Sequence, residues 1–285
     1  MKLTPFELHR PKSVAEASEL LERLGEQAVI YSGGTELLLV AKMGLTEFTA
    51  LVDVKGIPEL RQVSANGELT IGAAVTHREV ERSDAVLRGW PALAEMERHV
   101  GNIRVRNMGT IGGNLCFADP HSDPATFLLA LGGELTLQRG AAAPRRLPVD
   151  EFVRGPYMTA LQPGELLVSV NVPALPDAAR VVHRKLSFRE RPAITVAARL
   201  EVRDGSVTRA RLAVGSVSVR PLRPGEAEEL LEGADAGSVD LAAVGEAAAA
   251  AVEPVEDLNG SADYKRQLIR VLTARVLAEA LPESA

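Results

Sequence analysis

Two short glycine-centred runs hold the residues best suited to chemistry. The first is Ser32-Gly33-Gly34-Thr35, which follows the apolar run Ala28 to Tyr31 and precedes Glu36-Leu37-Leu38-Leu39-Val40. The second is Gly109-Thr110-Ile111-Gly112-Gly113-Asn114, inside a longer stretch from Arg106 to Asp123. Paired glycines permit positive φ and remove the Cβ that holds a ligand away from the main chain. Successive amides in such turns converge into concave anion sites, and helix starts favour anionic groups. Each loop alone is also compatible with an ordinary connection between elements. Neither is a Gly-x-Gly-x-x-Gly fingerprint or a P-loop. Together, about 80 residues apart, they suit the two phosphates of a diphosphate, and a long dinucleotide such as FAD suits them better than a mononucleotide.

The elements that must carry these loops can be read from pattern. Ser13 with Glu16 forms a capping box ahead of a helical stripe, Val14, Ala17, Leu20, Leu21 and Leu24, that Gly25 ends. The order that follows is strand, glycine turn and helix, and a strand over Thr49 to Val54 completes a small α/β unit. Thr76 with Glu79 repeats the capping box, which places His77 in an exposed first turn. Pro91 opens a helix to about Arg98 and Pro124 one to Leu131, with Asp123 as its expected cap. Strands are predicted at Leu69 to Gly72, Glu134 to Gln138 and Glu165 to Val172, and Arg145 to Tyr157 reads as irregular. Asp204-Gly205 joins Val196 to Val202 and Val207 to Val214 as a hairpin. Ser261 caps a last helix with the stripe Leu268, Ile269, Leu272, Val276 and Ala280. The predicted class is α+β. A two-part domain over 1–177, divided near 58, combines the small α/β unit with an antiparallel sheet and helices. A three-stranded antiparallel sheet packed by helices follows over 178–285.

Composition narrows the partners. A net charge of −6 and 4% aromatics argue against nucleic acid. Basic residues gather at Arg98 to Arg106 and from Arg180 to Arg191, where they can assist an anion. One cysteine, Cys116, excludes an internal disulfide and an all-cysteine metal or iron–sulfur site. The histidine spacing suggests no metal. The first residues lack the apolar core of a signal peptide, and no run reaches the roughly 18 apolar residues of a membrane span. A cytoplasmic protein is expected.

The motifs also carry a resemblance. Tyr31-Ser-Gly-Gly-Thr-Glu-Leu-Leu38, Ile103 to Leu115 and Asp119-Pro-His-Ser-Asp-Pro124 resemble the FAD-binding medium subunit of molybdenum-containing hydroxylases, the xanthine dehydrogenase and carbon monoxide dehydrogenase family. Pro163 to Leu167 and Arg184-Lys-Leu186 are similar to the second half of its flavin region. Ala213 to Val217, Arg220-Pro221 and Gly260 to Arg266 are similar to its C-terminal domain. The resemblance implies an oxidoreductase flavoprotein that holds FAD and needs no catalytic acid or base of its own. Ile30, Tyr31, Ser32, Gly33, Gly34, Thr35, Glu36 and Leu37 would wrap the diphosphate with Thr110, Ile111, Gly112, Gly113 and Asn114. Asp123 would bond the adenosine or ribityl side, Leu167 and Lys185 would line the flavin, and Ile111 and Cys116 would lie near its ring. His183 replaces an aromatic that many relatives carry two residues before the lysine, and is expected to face solvent. Val100 stands where some relatives place a larger ring. The implied partners are a small [2Fe–2S] subunit and a large molybdopterin subunit, in a dimer of heterotrimers, with electrons passing to an acceptor such as NAD⁺ or a quinone. Three rivals are a self-contained flavin enzyme, a nucleotide-binding module and a structural assembly subunit.

Overall fold

The computed structural model describes residues 3–188 and 191–282. The chain opens with β1 (Glu7–His9), α1 (Val14–Leu24), β2 (Ala28–Tyr31), α2 (Leu37–Lys42) and β3 (Ala50–Asp53). Ser13 accepts from the Glu16 amide at 3.1 Å, and Glu16 reaches back to the Lys12 amide at 2.6 Å, so α1 starts where the sequence places it. The three strands form a parallel sheet in the order β1-β3-β2, the arrangement that a helical crossover produces.

The second layer is antiparallel. Strands β4 (Val63–Asn66), β5 (Glu68–Gly72), β6 (Glu134–Arg139) and β7 (Arg145–Pro148) join it, as does a long later strand. That strand is β10 (Glu165–Pro173), which follows the small hairpin β8 (Val153–Gly155) and β9 (Met158–Thr159). The order is β4-β5-β10-β6-β7. The segment 145–157, expected to be irregular, pairs along the edge of this sheet and holds the short helix α9 (Val149–Phe152). Between β5 and β6 run α3 (His77–Arg82), α4 (Asp84–Gly89), α5 (Pro91–Arg98), α6 (Ile103–Met108), α7 (Ile111–Phe117) and α8 (Asp123–Leu131).

The third sheet, β11 (Ala179–Ser187), β12 (Pro192–Arg203) and β13 (Ser206–Gly215), is antiparallel in that order. Asp204 and Gly205 both take positive φ, 50° and 77°, the requirement of a two-residue hairpin turn matched to strand twist. Strand β12 is buried on both faces from Pro192 to Glu201, because α8 packs on one side and α12 (Ala262–Ala280) on the other. Helices α10 (Gly225–Glu229) and α11 (Leu241–Ala250) complete this part. Ser261 caps α12 as predicted, but its buried face is rotated from the expected stripe. Lys265, Ile269, Thr273, Val276 and Ala280 are buried, while Leu268 and Leu272 only flank the core. Lys265 is the reason that face tolerates a cation: its ammonium meets the Val255 carbonyl at 2.7 Å and Asp257 at 2.8 Å.

Three apolar clusters underlie the sheets. One lies beneath the parallel sheet and reaches Ala74 and Leu166. One fills the antiparallel layer and reaches Ala197 and Ala213, and one belongs to the C-terminal sheet and helices. Among the described residues, no helix is long and apolar enough to cross a membrane.

Candidate functional site

The loop 32–36 hangs off the end of β2 and is held from both sides. Lys55 donates to the Ser32 carbonyl at 3.2 Å and lies 3.6 Å above the Tyr31 ring. Gly34 has φ 69°, and a Cβ there would strike that ring at 2.3 Å. Tyr31 therefore braces the turn from behind. Among the described residues, the amides of Ser32, Gly33, Gly34 and Thr35 find no acceptor. They form a run of free donors of the kind that holds anions.

The second glycine run differs from expectation. Gly112 and Gly113 have ordinary negative φ and sit in the first turn of α7. The amides of Ile111 and Gly112 donate to the carbonyls of Val75 and Ala73 at 3.1 and 3.0 Å, and Gly113 donates to the Thr110 hydroxyl at 3.1 Å. These donors are spent inside the protein, so this run is no anion nest. Its glycines serve close approach: a Cβ on Gly112 would lie 2.5 Å from both the Cβ and the carbonyl oxygen of Ala73. A Cβ on Gly33 would lie 2.3 Å from the Met108 carbonyl oxygen and 2.6 Å from the Gly109 Cα. The two glycine runs thus touch, and Thr110 Oγ1 donates to Ser32 Oγ at 3.1 Å.

Between them opens a cavity of about 490 Å³, a size typical of small-molecule sites. Thirteen of the sixteen predicted residues line it: Ile30, Ser32, Gly33, Gly34, Thr35, Glu36, Leu37, Thr110, Gly112, Gly113, Asn114, Asp123 and Leu167. Tyr31, Ile111 and Lys185 do not. Ile111 is fully buried in the core, because α7 docks that face against the antiparallel layer. Lys185 reaches the wall indirectly, donating to Asp123 Oδ2 at 2.5 Å and to the His99 carbonyl at 2.7 Å. Val100 lines the cavity with a small apolar surface.

Asp123 does not cap α8; Ser122 does, accepting from the Ala125 amide. Asp123 instead turns inward and is 5% exposed, and its sealed Oδ1 lies 3.8 Å from His183 Nε2, beyond hydrogen-bond distance. Burial pushes its carboxyl up, with the Lys185 ammonium pulling the other way. Asn114 accepts from Ser122 at 2.6 Å, and its Nδ2 has no partner among the described residues. His183, expected at the surface, is buried edge-on against Phe127 and 2.7 Å from Thr195 Oγ1. Burial, then the charge of Lys185, lowers its pKa to about 3, so it is neutral at pH 7. It packs α8 onto β12 and lines no part of the cavity.

Among the lining residues not foreseen as site residues, His77, Arg191 and Leu166 stand out. His77 is 2% exposed and pairs with buried Glu97 through Nδ1 at 2.6 Å, against the expectation of an exposed first turn. The capping box is present, but it fixes only the backbone and leaves the ring free to turn inward. Arg191 bridges Glu36, at 3.0 Å, and Asp119. Leu166 adds apolar wall. Nothing in their local pattern marks Arg191 or Leu166. Of the other basic residues in the run ending at Arg191, Arg184 pairs with Glu279, and Arg189 lies outside the described residues.

Cys116 is only half-buried because one side faces the cavity, and desolvation pushes its thiol up to about 12. At pH 8 about one molecule in ten thousand then carries the reactive thiolate. Native protein should therefore stay unlabelled by iodoacetamide under conditions that fully alkylate free cysteine, as read by mass spectrometry. Rapid labelling would show an activated thiol instead.

A diphosphate-bearing dinucleotide fits this chemistry. Glycines leave room along the loop, four of its amides find no acceptor, and Asn114 and Asp123 stand in the same wall. Residues 4–175 match the family described as "FAD binding domain in molybdopterin dehydrogenase", and residues 180–280 match "CO dehydrogenase flavoprotein C-terminal domain". The chain is 33% identical over 285 residues to the alpha subunit of the 6-hydroxypseudooxynicotine dehydrogenase complex of Paenarthrobacter nicotinovorans, covering 99% of this chain and 96% of that one. It is 33% identical to the carbon monoxide dehydrogenase medium chain of Hydrogenophaga pseudoflava, covering 95% and 96%. A solved structure of carbon monoxide dehydrogenase from Hydrogenophaga pseudoflava superposes with a TM-score of 0.94 at 34% identity, covering 98% of each chain.

Proposed function

The chain belongs to the FAD-binding medium subunits of molybdenum-containing hydroxylases, the carbon monoxide and xanthine dehydrogenase family, and from that premise we propose that it serves as the electron-relay subunit of such a complex. In this reading 1–177 is the FAD-binding unit and 178–285 is a distinct C-terminal unit. The free amides of Ser32 to Thr35 hold the diphosphate, with the Thr35 hydroxyl and the Asn114 amide as further donors. Asp123 bonds the cofactor on the adenosine or ribityl side. Leu166 and Leu167 give the ring an apolar bed, and the Asp123–Lys185 pair holds that wall rigid. When bound, FAD would supply reversible electron transfer; the protein's part is to bind, orient and shield it.

The observation that carries this is the run of four free amides, Ser32 to Thr35, in the wall of a cavity that Asn114 and Asp123 also line. The partners in this reading are a [2Fe–2S] subunit and a molybdopterin subunit in a dimer of heterotrimers, with NAD⁺ or a quinone as final acceptor. Purified protein should be yellow, with the absorbance of oxidised flavin, or should become so on adding FAD. A colourless preparation that FAD cannot reconstitute would sink the proposal.

A further inference from the structure

Resting on that reading, we propose that His77, backed by Glu97, is an additional ligand of the cofactor's diphosphate, donating from Nε2. A diphosphate brings two negative charges, and the loop 32–35 meets them with neutral amides alone. Among the described residues, the cavity wall carries few basic side chains: His77, His121 and Arg191. Arg191 is taken up by Glu36 and Asp119, and His121 by Asp119 and Asp257. His77 alone has an unengaged nitrogen.

Its orientation follows from what surrounds it. Nδ1 is committed to Glu97 at 2.6 Å. Nε2 has no partner among the described residues, yet it is not one of the sealed orphan atoms. The little solvent that a 2% exposed side chain reaches is the cavity it lines, so Nε2 meets that space. The ring also sits at the glycine loops: a methyl on Gly109 would lie 3.3 Å from both His77 Cδ2 and Thr35 Oγ1. The His77 amide donates to the Gly109 carbonyl at 3.0 Å, which ties the ring's backbone to the second loop.

Glu97 gives the second argument. It is fully buried, and its Oε1 has no partner. A half-satisfied buried carboxylate is costly and does not recommend itself as packing. Beside an imidazole it has a use: bonded to Nδ1 it fixes the ring's orientation, and a ring that carries protons on both nitrogens donates from Nε2 as well.

The test is FAD titration of the apoprotein, wild type against His77→Leu and His77→Gln, with thermal melts of each apoprotein and ³¹P NMR of each FAD complex. Loss of a charge-assisted bond to phosphate should weaken FAD about ten- to hundredfold in His77→Leu. The melting temperature of the near-isosteric His77→Gln should stay close to wild type, and at least one of its two ³¹P resonances should move. FAD affinity within twofold of wild type in both variants, or weakened binding with both ³¹P resonances unmoved in His77→Gln, overturns the proposal. Should His77→Leu fail to fold, the ³¹P comparison with His77→Gln decides. Wild-type protein that binds no FAD in the same titration sinks the flavoprotein reading itself, whereas normal wild-type binding with unaltered variants sinks only the role of His77.

Discussion

Gly112→Val is expected to strip the protein of FAD and to lower its stability, because the new side chain has nowhere to go. A Cβ alone would lie 2.5 Å from the Ala73 carbonyl oxygen and 2.8 Å from its Cα, both backbone. Backbone cannot rotate aside, so α7 must lift from the layer beneath it. Overpacking of this kind costs about 1–3 kcal/mol and occasionally more. Lifting α7 also breaks the Ile111 and Gly112 bonds to Val75 and Ala73 and carries Thr110 away from Ser32. A misfit of about 3 kcal/mol at the cofactor corresponds to a loss of affinity of roughly a hundredfold or more. Gly33→Ala should behave similarly, since its Cβ would meet the Met108 carbonyl at 2.3 Å. Gly113→Ala should be mild. Its Cβ would meet only the Thr110 hydroxyl, at 2.8 Å, and loss of such a cap costs about 1 kcal/mol. Flavin content after gel filtration and a thermal melt rank the three. A Gly113 variant worse than the Gly112 and Gly33 variants would refute the close-approach account. The C-terminal sheet has its own core and should stay folded in all three.

That ranking shows what the sequence conveyed about the glycines and what it concealed. Gly33-Gly34 and Gly112-Gly113 were visible as special, and the structure brings both to one cavity. The physical cause was different at three of the four positions, since only Gly34 takes positive φ. Close approach depends on what packs opposite, here Met108 and Ala73, and those partners are distant in sequence. Local pattern was reliable where the physics is local: the Ser13 cap, the Thr76–Glu79 capping box, the Asp204-Gly205 turn and the Ser261 cap all stand. It failed for side-chain direction. His77 and His183 were both expected outside, and Asp123 was expected at a cap. Each turns inward to a partner contributed by another element: Glu97 from α5, Thr195 from β12 and Lys185 from β11. A backbone pattern cannot report such a partner. The resemblance named Asp123 and Lys185 as site residues without indicating that they bind each other.

Lys185→Met tests that pair, and its expected cost is large. The ammonium is 17% exposed and the carboxylate 5%, so neither charge is well hydrated. Removing the cation leaves the buried Asp123 carboxylate without a counter-charge, with the Thr195 hydroxyl as its remaining bond. Breaking a buried pair in this way costs about 3–5 kcal/mol, and it also frees the His99 carbonyl. The loss should depend on pH with a definite sign. Burial already holds the Asp123 carboxyl above its ordinary value of 3.8, and without Lys185 it rises further. A raised folded-state pKa means that the native protein binds the proton more tightly than the unfolded chain does. The contribution of that group is therefore most favourable below the unfolded pKa and is lost as pH rises through the folded one. The deficit of Lys185→Met should thus shrink as the solution is made acidic, measured by denaturant unfolding of both proteins across the range. A deficit that grows on acidification would rule out the buried charge as its cause. Adding Asp123→Asn to Lys185→Met should restore most of the stability at neutral pH, because the double variant buries no charge. It should not restore FAD binding, since the Asp123 carboxylate would be gone. Stability and cofactor affinity separate in the double variant because the carboxylate is retained at a cost to the fold while it lines the cavity that the cofactor would enter.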